Sequence, residues 1–245
     1  MRSYGIIGYP LDHSFSQPYF TEKFRQPGLE DYLYLNFPIN DIGLLKELIT
    51  NQPDLLGLNI TSPYKKQVMP FLTDRTNIPT GLNACNCIRI IGGRIIGFNT
   101  DITGFENSLL KKWKNDRVKA LVLGNGGAAE AVKFVLNKLQ ISYEIAGRKI
   151  SDDCGLTYTM LDEAIISSHL LIINTTPVGT YPRIKEYPGI PYQFLTKDHL
   201  LYDLVYNPVK TLFLQKGERQ GAAIQNGYDM LILQAEESWK IWNSD

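Results

Sequence analysis

Apolar residues along this chain alternate between short continuous runs and runs at helical spacing. Residues 4–8, 32–37 and 56–61 read as strands, the last stopped by Ser62-Pro63, while Ile42, Leu45, Leu48 and Ile49 mark a helix before the third. The loop Tyr9-Pro10-Leu11-Asp12-His13-Ser14 follows the first strand. Residues 87–91 and 94–97 flank Gly92-Gly93, a two-residue hairpin signal, because both central positions of such a turn favour positive φ. Asn99-Thr100-Asp101 then leads a helix to about Trp113, before the polar stretch 114–117. This alternation predicts an α/β layer.

The pattern sharpens at Ala120-Leu-Val-Leu123, which runs into Gly124-Asn-Gly126-Gly127-Ala128-Ala129. Ala128, Val132, Val135, Leu136 and Leu139 then recur at helical spacing. Strand, glycine turn and helix in that order form a dinucleotide-binding fingerprint. The first glycine makes the tight turn, the second lets backbone approach a pyrophosphate, and the small third residue permits close helix–strand packing. The unpaired N–H groups of the new helix would face the phosphates. Residues 141–146, 170–174, 200–203 and 222–225 alternate with helical segments, which predicts a doubly wound parallel sheet, a Rossmann fold. A last helix, about 228–242, carries Leu231, Ala235 and Trp242 on one stripe and has no strand after it, so it is free to pack back on the first domain. The expectation is two α/β domains with a cleft between them: residues 1–103 plus 228–245 binding substrate, and 104–227 binding the nucleotide.

Composition removes several classes. Lys+Arg and Asp+Glu both number 25, so no basic excess points to nucleic acid or an anionic membrane. The N-terminal apolar run is too short for a signal peptide and no stretch is long enough to span a bilayer, so a cytoplasmic protein is expected. Of the three cysteines, Cys85-x-Cys87 has no second pair, and with Cys154 they read as small semi-buried thiols rather than metal ligands. No metal is expected. His13 and His169 offer no nucleophile arrangement and read as structural or exposed.

Polar residues gather just after strands of the first domain: Ser14, Ser16, Asn59, Thr61, Lys65, Asn86, Asn99 and Asp101. A lysine beside a carboxylate suits carbonyl reduction by hydride. The ammonium of Lys65 would donate a proton as hydride reaches carbon and stabilise the developing alkoxide, with Asp101 orienting it. The alternative for this pair is a surface salt bridge. Ser14, Ser16, Asn59, Thr61, Asn86 and Gln234 are neutral hydrogen-bonding groups that suit a ligand with several hydroxyls, or serve ordinary turns and caps. Gln234 lies on the helix face of Leu231 and Ser238, so it could reach inward. At the end of the second nucleotide-domain strand, Gly147-Arg148-Lys149 offers cations and no acid, which favours a 2′-phosphate and hence NADP. Glu144 stands about 20 residues past the first glycine but falls within the strand, not at its end.

In order, the chain carries Gly8-Tyr-Pro-Leu-Asp-His-Ser14-Phe-Ser16, Gly57-Leu-Asn59-Ile-Thr61-Ser-Pro-Tyr-Lys65, Asn83-Ala-Cys-Asn86, Gly97-Phe-Asn99-Thr-Asp101, the glycine loop, Leu201-Tyr-Asp203-Leu-Val-Tyr206-Asn-Pro208 and Asn226-Gly227-Tyr-Asp-Met230-Leu-Ile-Leu-Gln234-Ala. Over essentially its whole length it resembles the shikimate dehydrogenase family. The resemblance implies NADP-dependent, reversible reduction of 3-dehydroshikimate to shikimate on the chorismate route to aromatic amino acids, with Lys65 and Asp101 as the catalytic pair. It implies that Ser14 and Ser16 hold the substrate carboxylate and that Thr61, Asn86 and Gln234, with Tyr206 nearby, hold ring hydroxyls; Asn59 stands with them. It implies cofactor contacts from Gly124, Gly126, Gly127, Ala128, Ala129, Arg148, Lys149 and Gly227, with Leu204 beside the cofactor and Asp74 near its nicotinamide side. A homodimer is compatible with it. Three motifs depart from the family pattern: Gly147 and Lys149 flank the arginine of an Asn-Arg-Thr motif, Gln17 separates Ser16 from Pro18, and Cys87 follows Asn86 where threonine is usual. The alternatives are a quinate/shikimate enzyme using NAD, a tetrahydrofolate-type dehydrogenase, against which the Ser14/Ser16 loop and the Asn99-Thr-Asp101 motif argue, and a non-enzymatic NADP sensor.

Overall fold

A computed structural model of the chain describes residues 1–11, 14–113, 118–152 and 154–244; His13 and the polar stretch at 114–117 lie outside the described residues. The chain divides into two compact units, Met1–Thr100 with Ala235–Asp245, and Asp101–Gln234.

The first unit contains β1 (Arg2–Ile7), α1 (Ser16–Lys23), β2 (Tyr32–Phe37), α2 (Leu45–Asn51), β3 (Leu55–Ile60), β4 (Cys87–Ile91) and β5 (Arg94–Phe98). They form one sheet in the order β2-β1-β3-β4-β5, with β1 parallel to both neighbours and β4–β5 an antiparallel hairpin. Parallel neighbours need crossovers, and α1 and α2 supply them. The hairpin turns on Gly92 and Gly93 with φ of +54° and +79°, the pair of positive values that its two-glycine spacing predicts. Sequence periodicity gave no sign of α1, for a physical reason: it buries only Ser16 and Phe20, so no apolar stripe repeats along it.

Aromatic rings fill this unit's core. Phe20 stacks on Tyr34 with centroids 4.6 Å apart, and Tyr4 stacks on Trp242 at 4.7 Å. Trp242 Nε1 donates to the Ile88 carbonyl at 2.9 Å, so the ring is buried with its polar atom satisfied. Gly57 makes this docking feasible, since a Cβ there would lie 2.3 Å from Trp242 Nε1.

The second unit begins within α3 (Thr100–Lys112) and continues through β6 (Ala120–Leu123), α4 (Gly127–Lys138), β7 (Tyr143–Gly147), β8 (Leu156–Thr157), α5 (Glu163–Ser168), β9 (Leu171–Asn174), β10 (Leu200–Asp203), α6 (Leu212–Arg219), β11 (Ala223–Gln225) and into α7 (Tyr228–Asn243). Its strands are all parallel in the order β11-β10-β9-β6-β7-β8, the doubly wound arrangement. The central strands β6, β9 and β10 are buried throughout, as their continuous apolar runs require. Ser108 of α3 shares a 2.6 Å hydrogen bond with Tyr202 of β10, and Gln225 Nε2 donates to the Ser108 carbonyl at 2.8 Å. α3 and α7 approach closely at Gly104, where a Cβ would lie 2.7 Å from the Met230 carbonyl oxygen. The division between units falls at 100/101 and 234/235, against the 103/104 and 227/228 read from sequence. Both lie inside helices, where no turn signal marks them.

Candidate functional site

In the second unit the strand order reverses at β6, between β9 and β7. Loops after these strands diverge there and leave a crevice at their C-terminal ends. A cavity of about 1030 Å³ occupies that place, lined on one side by Gly124, Asn125 and Gly126 and on the others by Arg148, Lys149 and the loop from Thr175 to Gly189. Each glycine-loop position carries its own reason. Gly124 has φ of +99°, and a Cβ would meet Thr176 Cγ2 at 2.6 Å. Gly126 has nothing within 4 Å of where its Cβ would be, which leaves its backbone open to a ligand. In the first turn of α4, Ala129 is fully buried, while Gly127 and Ala128 are half-buried.

Side chains hold this loop system in place. Lys133 Nζ donates to Asn125 Oδ1 at 3.2 Å and pairs with Glu130 at 2.9 Å. Thr175 Oγ1 donates to the Leu123 carbonyl at 2.8 Å, tying the end of β9 to that of β6. Below it, Asp203 Oδ1 accepts from Asn174 Nδ2 at 2.9 Å and from the Val205 N–H at 3.0 Å, and its Oδ2 accepts from Thr211 Oγ1 at 2.6 Å. Burial pushes the Asp203 carboxyl up to about 6 despite these donors. This network was not read from sequence, although Asn174-Thr-Thr at a strand end carried the signal.

Arg148 and Lys149 follow β7 directly and line the cavity; among the described residues neither side chain makes an ion pair or hydrogen bond. Glu144 points elsewhere, its Oε2 lying 3.2 Å from His169 Nε2, and His169 is a buried residue whose Nδ1 sits 2.6 Å from the Ile165 carbonyl. Leu204 and Gly227 do not border the cavity. They meet each other: a Cβ on Gly227 would fall 2.1 Å from the Leu204 carbonyl oxygen. Tyr206 is half-buried on the same loop, and Gln234 is buried with Nε2 donating to the Leu231 carbonyl at 2.9 Å.

In the first unit the polar residues form a buried chain. The buried Ser16 lies beside the Tyr34 hydroxyl, which donates to Asn59 Oδ1 at 2.8 Å, and Asn59 Nδ2 donates to Ser238 Oγ at 2.9 Å. Burial raises the Tyr34 hydroxyl well above its ordinary range, so it stays a neutral donor. Asn59 thus uses both ends of its amide within the unit. Tyr34 and Ser238 escaped the sequence reading because neither belongs to a local motif. Asn86 accepts from the Thr100 N–H at 2.6 Å and donates to Thr100 Oγ1 at 3.0 Å, satisfying a free N–H at the start of α3 from outside the helix.

Ser14 contrasts with these: its Oγ is buried and has no hydrogen-bond partner among the described residues. The half-buried Thr61 hydroxyl likewise has none among the described residues. Lys65 is half-buried in the turn after β3, and Asp101 is 4% exposed in the first turn of α3, where a helix N-terminus favours a carboxylate. Asp74 is already engaged, by the Thr76 N–H and hydroxyl and by Arg94 at 2.6 Å; its hydrogen bonds to Thr76 hold its carboxyl below the usual range. Cys85, Cys87 and Cys154 are free and buried, and burial pushes the Cys87 thiol up. Among the described residues no group of His, Cys, Asp and Glu is arranged to hold a metal ion, and no helix is long and apolar enough to cross a membrane.

A doubly wound sheet with a cavity over its glycine loop, walled by Arg148 and Lys149, defines a dinucleotide-binding α/β protein. Residues 6–88 match the family model of the shikimate dehydrogenase substrate binding domain. A shikimate dehydrogenase (NADP(+)) of Methanococcus vannielii is 32% identical over 97% of this chain and 90% of its own length. A crystal structure of a shikimate dehydrogenase in complex with NADP+ superposes with a TM-score of 0.86 at 30% identity, covering 99% of this chain and 90% of that one. The Thermus thermophilus enzyme in complex with NADP(H) and shikimate gives 0.84 at 27% identity, over 99% and 94%. The chain belongs to the shikimate dehydrogenase family.

Proposed function

We propose that this chain is an NADP-dependent oxidoreductase that reversibly reduces 3-dehydroshikimate to shikimate, a step on the chorismate route to aromatic amino acids. The observation that carries the cofactor choice is the cavity over the glycine loop, with Arg148 and Lys149 on its wall and no carboxylate among its described lining residues. The open space above Gly126 fits a pyrophosphate, and the two cations fit a 2′-phosphate. The names of the family relatives support both substrate and cofactor.

When bound, the cofactor supplies hydride to the carbonyl carbon of the substrate. Lys65 hydrogen-bonds the carbonyl oxygen and delivers the proton that completes the alcohol; in the reverse direction neutral Lys65 takes that proton back. Asp101 supplies the paired carboxylate. Ser14, whose hydroxyl lacks a partner among the described residues, binds the substrate carboxylate with Ser16, and Thr61, Asn86, Tyr206 and Gln234 serve the ring hydroxyls. Three free, buried thiols accord with a reducing compartment, and a cytoplasmic location goes with this reading.

The test is a matrix of shikimate and quinate, each with NADP+ and NAD+, read as kcat/KM from nicotinamide absorbance. Shikimate with NADP+ should lead by more than about tenfold, which is about 1.4 kcal/mol of transition-state preference. Quinate in the lead would overturn the substrate, and parity with NAD+ would overturn the cofactor. Arg148→Ala should weaken NADP+ far more than NAD+.

A further inference from the structure

The cavity of the second unit holds a third cation that the strand-end rule does not find. Arg183 belongs to the loop after β9, on the opposite side of β6 from β7, and lines the same cavity as Arg148 and Lys149. Its ion-pair partner is Glu186, with Nη1 to Oε2 at 3.7 Å and the two side chains 63% and 48% exposed. One long contact between two solvated groups contributes about 1 kcal/mol at most, so the guanidinium is not committed to it. Among the described residues lining the cavity there is neither Glu186 nor any other carboxylate.

A dinucleotide brings two kinds of anion to such a space. Its pyrophosphate is met by the backbone N–H groups of the glycine loop and the start of α4, which need no side-chain cation. A 2′-phosphate is a compact dianion with three acceptor oxygens, and it matches guanidinium forks. We propose that Arg183 is a second determinant of cofactor choice, contributing a guanidinium to the 2′-phosphate alongside Arg148 and Lys149. This rests on the NADP reading above and extends it to a loop distant in sequence from the Gly147-Arg148-Lys149 turn. Glu186 then competes with the phosphate for Arg183, so the pair sets affinity in both directions.

Isothermal titration of NADP+ and of NAD+ into wild type, Arg183→Gln, Arg183→Lys and Glu186→Gln tests it. Arg183→Gln should weaken NADP+ about tenfold, or about 1.4 kcal/mol, and change NAD+ by less than about twofold. Arg183→Lys should recover part of the loss, and Glu186→Gln should tighten NADP+ while leaving NAD+ alone. Equal weakening of both cofactors by Arg183→Gln would place the arginine on a shared group or on the fold of its loop, and would overturn the inference. So would a wild-type NADP+ preference that survives Arg183→Gln intact. Absence of any preference in the wild type overturns the cofactor reading itself, and is seen before Arg183 is altered.

Discussion

Both units place polar and small residues at the ends of parallel strands, but they use them differently. After β6, Gly124 and Gly126 act through backbone: one adopts a left-handed φ, the other leaves room for a ligand. Around β3, Asn59, Tyr34 and Ser238 act through side chains that are bonded to one another, with Ser16 beside them. A backbone device depends on a few adjacent residues, whereas a side-chain network draws on β2, β3, α1 and α7 at once. On the function proposed above, the second unit holds the nucleotide and supplies Asp101, while Lys65, Ser14 and Ser16 come from the first.

The largest effect that sharpens this contrast is expected at Lys65. Lys65→Ala should lower kcat by about a thousandfold, within the range for a lost general acid, while NADP+ affinity shifts less than about twofold. A variant that loses cofactor binding as well would break the assignment. Next is Asp203, buried in the second unit. Its carboxyl titrates near 6 in the folded chain against 3.8 in the unfolded one, so the folded state binds the proton more tightly. Its ionisation therefore costs stability above about pH 6, and that cost disappears as pH falls towards about 4, a swing of about 3 kcal/mol. Urea unfolding of wild type and Asp203→Asn between those limits should show wild type gaining stability relative to the variant as pH falls. A constant difference would show that Asp203 is not the titrating group.

Gly124→Ala should cost about 1–3 kcal/mol of stability through its positive φ and weaken NADP+ by about tenfold, because the Thr176 contact displaces the loop. Undisturbed cofactor binding would show that backbone shape is not what holds the nucleotide. The smallest effects separate two hydrogen-bonding residues of the first unit. Asn86→Ala leaves the Thr100 N–H unsatisfied and should lower stability by about 1–3 kcal/mol. Ser14→Ala removes a hydroxyl with no partner among the described residues, so the melting temperature should hold or rise while KM for shikimate increases several-fold. A destabilised Ser14→Ala would place that hydroxyl in the fold instead of the substrate site.

Legibility followed the same division. The strands of the doubly wound sheet were readable because continuous apolar runs are what a strand buried on both faces requires, and β10 matches its sequence reading residue for residue. Helix α1 was silent because it buries so little, and the two-residue β8 is too short to carry a period. Among site residues, Gly124, Gly126, Arg148 and Lys149 do share one cavity. Asp74 and Asn59, by contrast, are engaged by partners that nothing near them in sequence announces.

Sequence alone determined the order of elements, the glycine turn and the cations after β7, because each depends on spacing within a short segment. Tertiary structure decided which polar groups are already spoken for, which hydroxyl is left without a partner, and that Arg183 joins Arg148 at one cavity. Those outcomes depend on where distant segments meet, and a hydrogen bond spends the same donor whether its acceptor is adjacent in the chain or far along it.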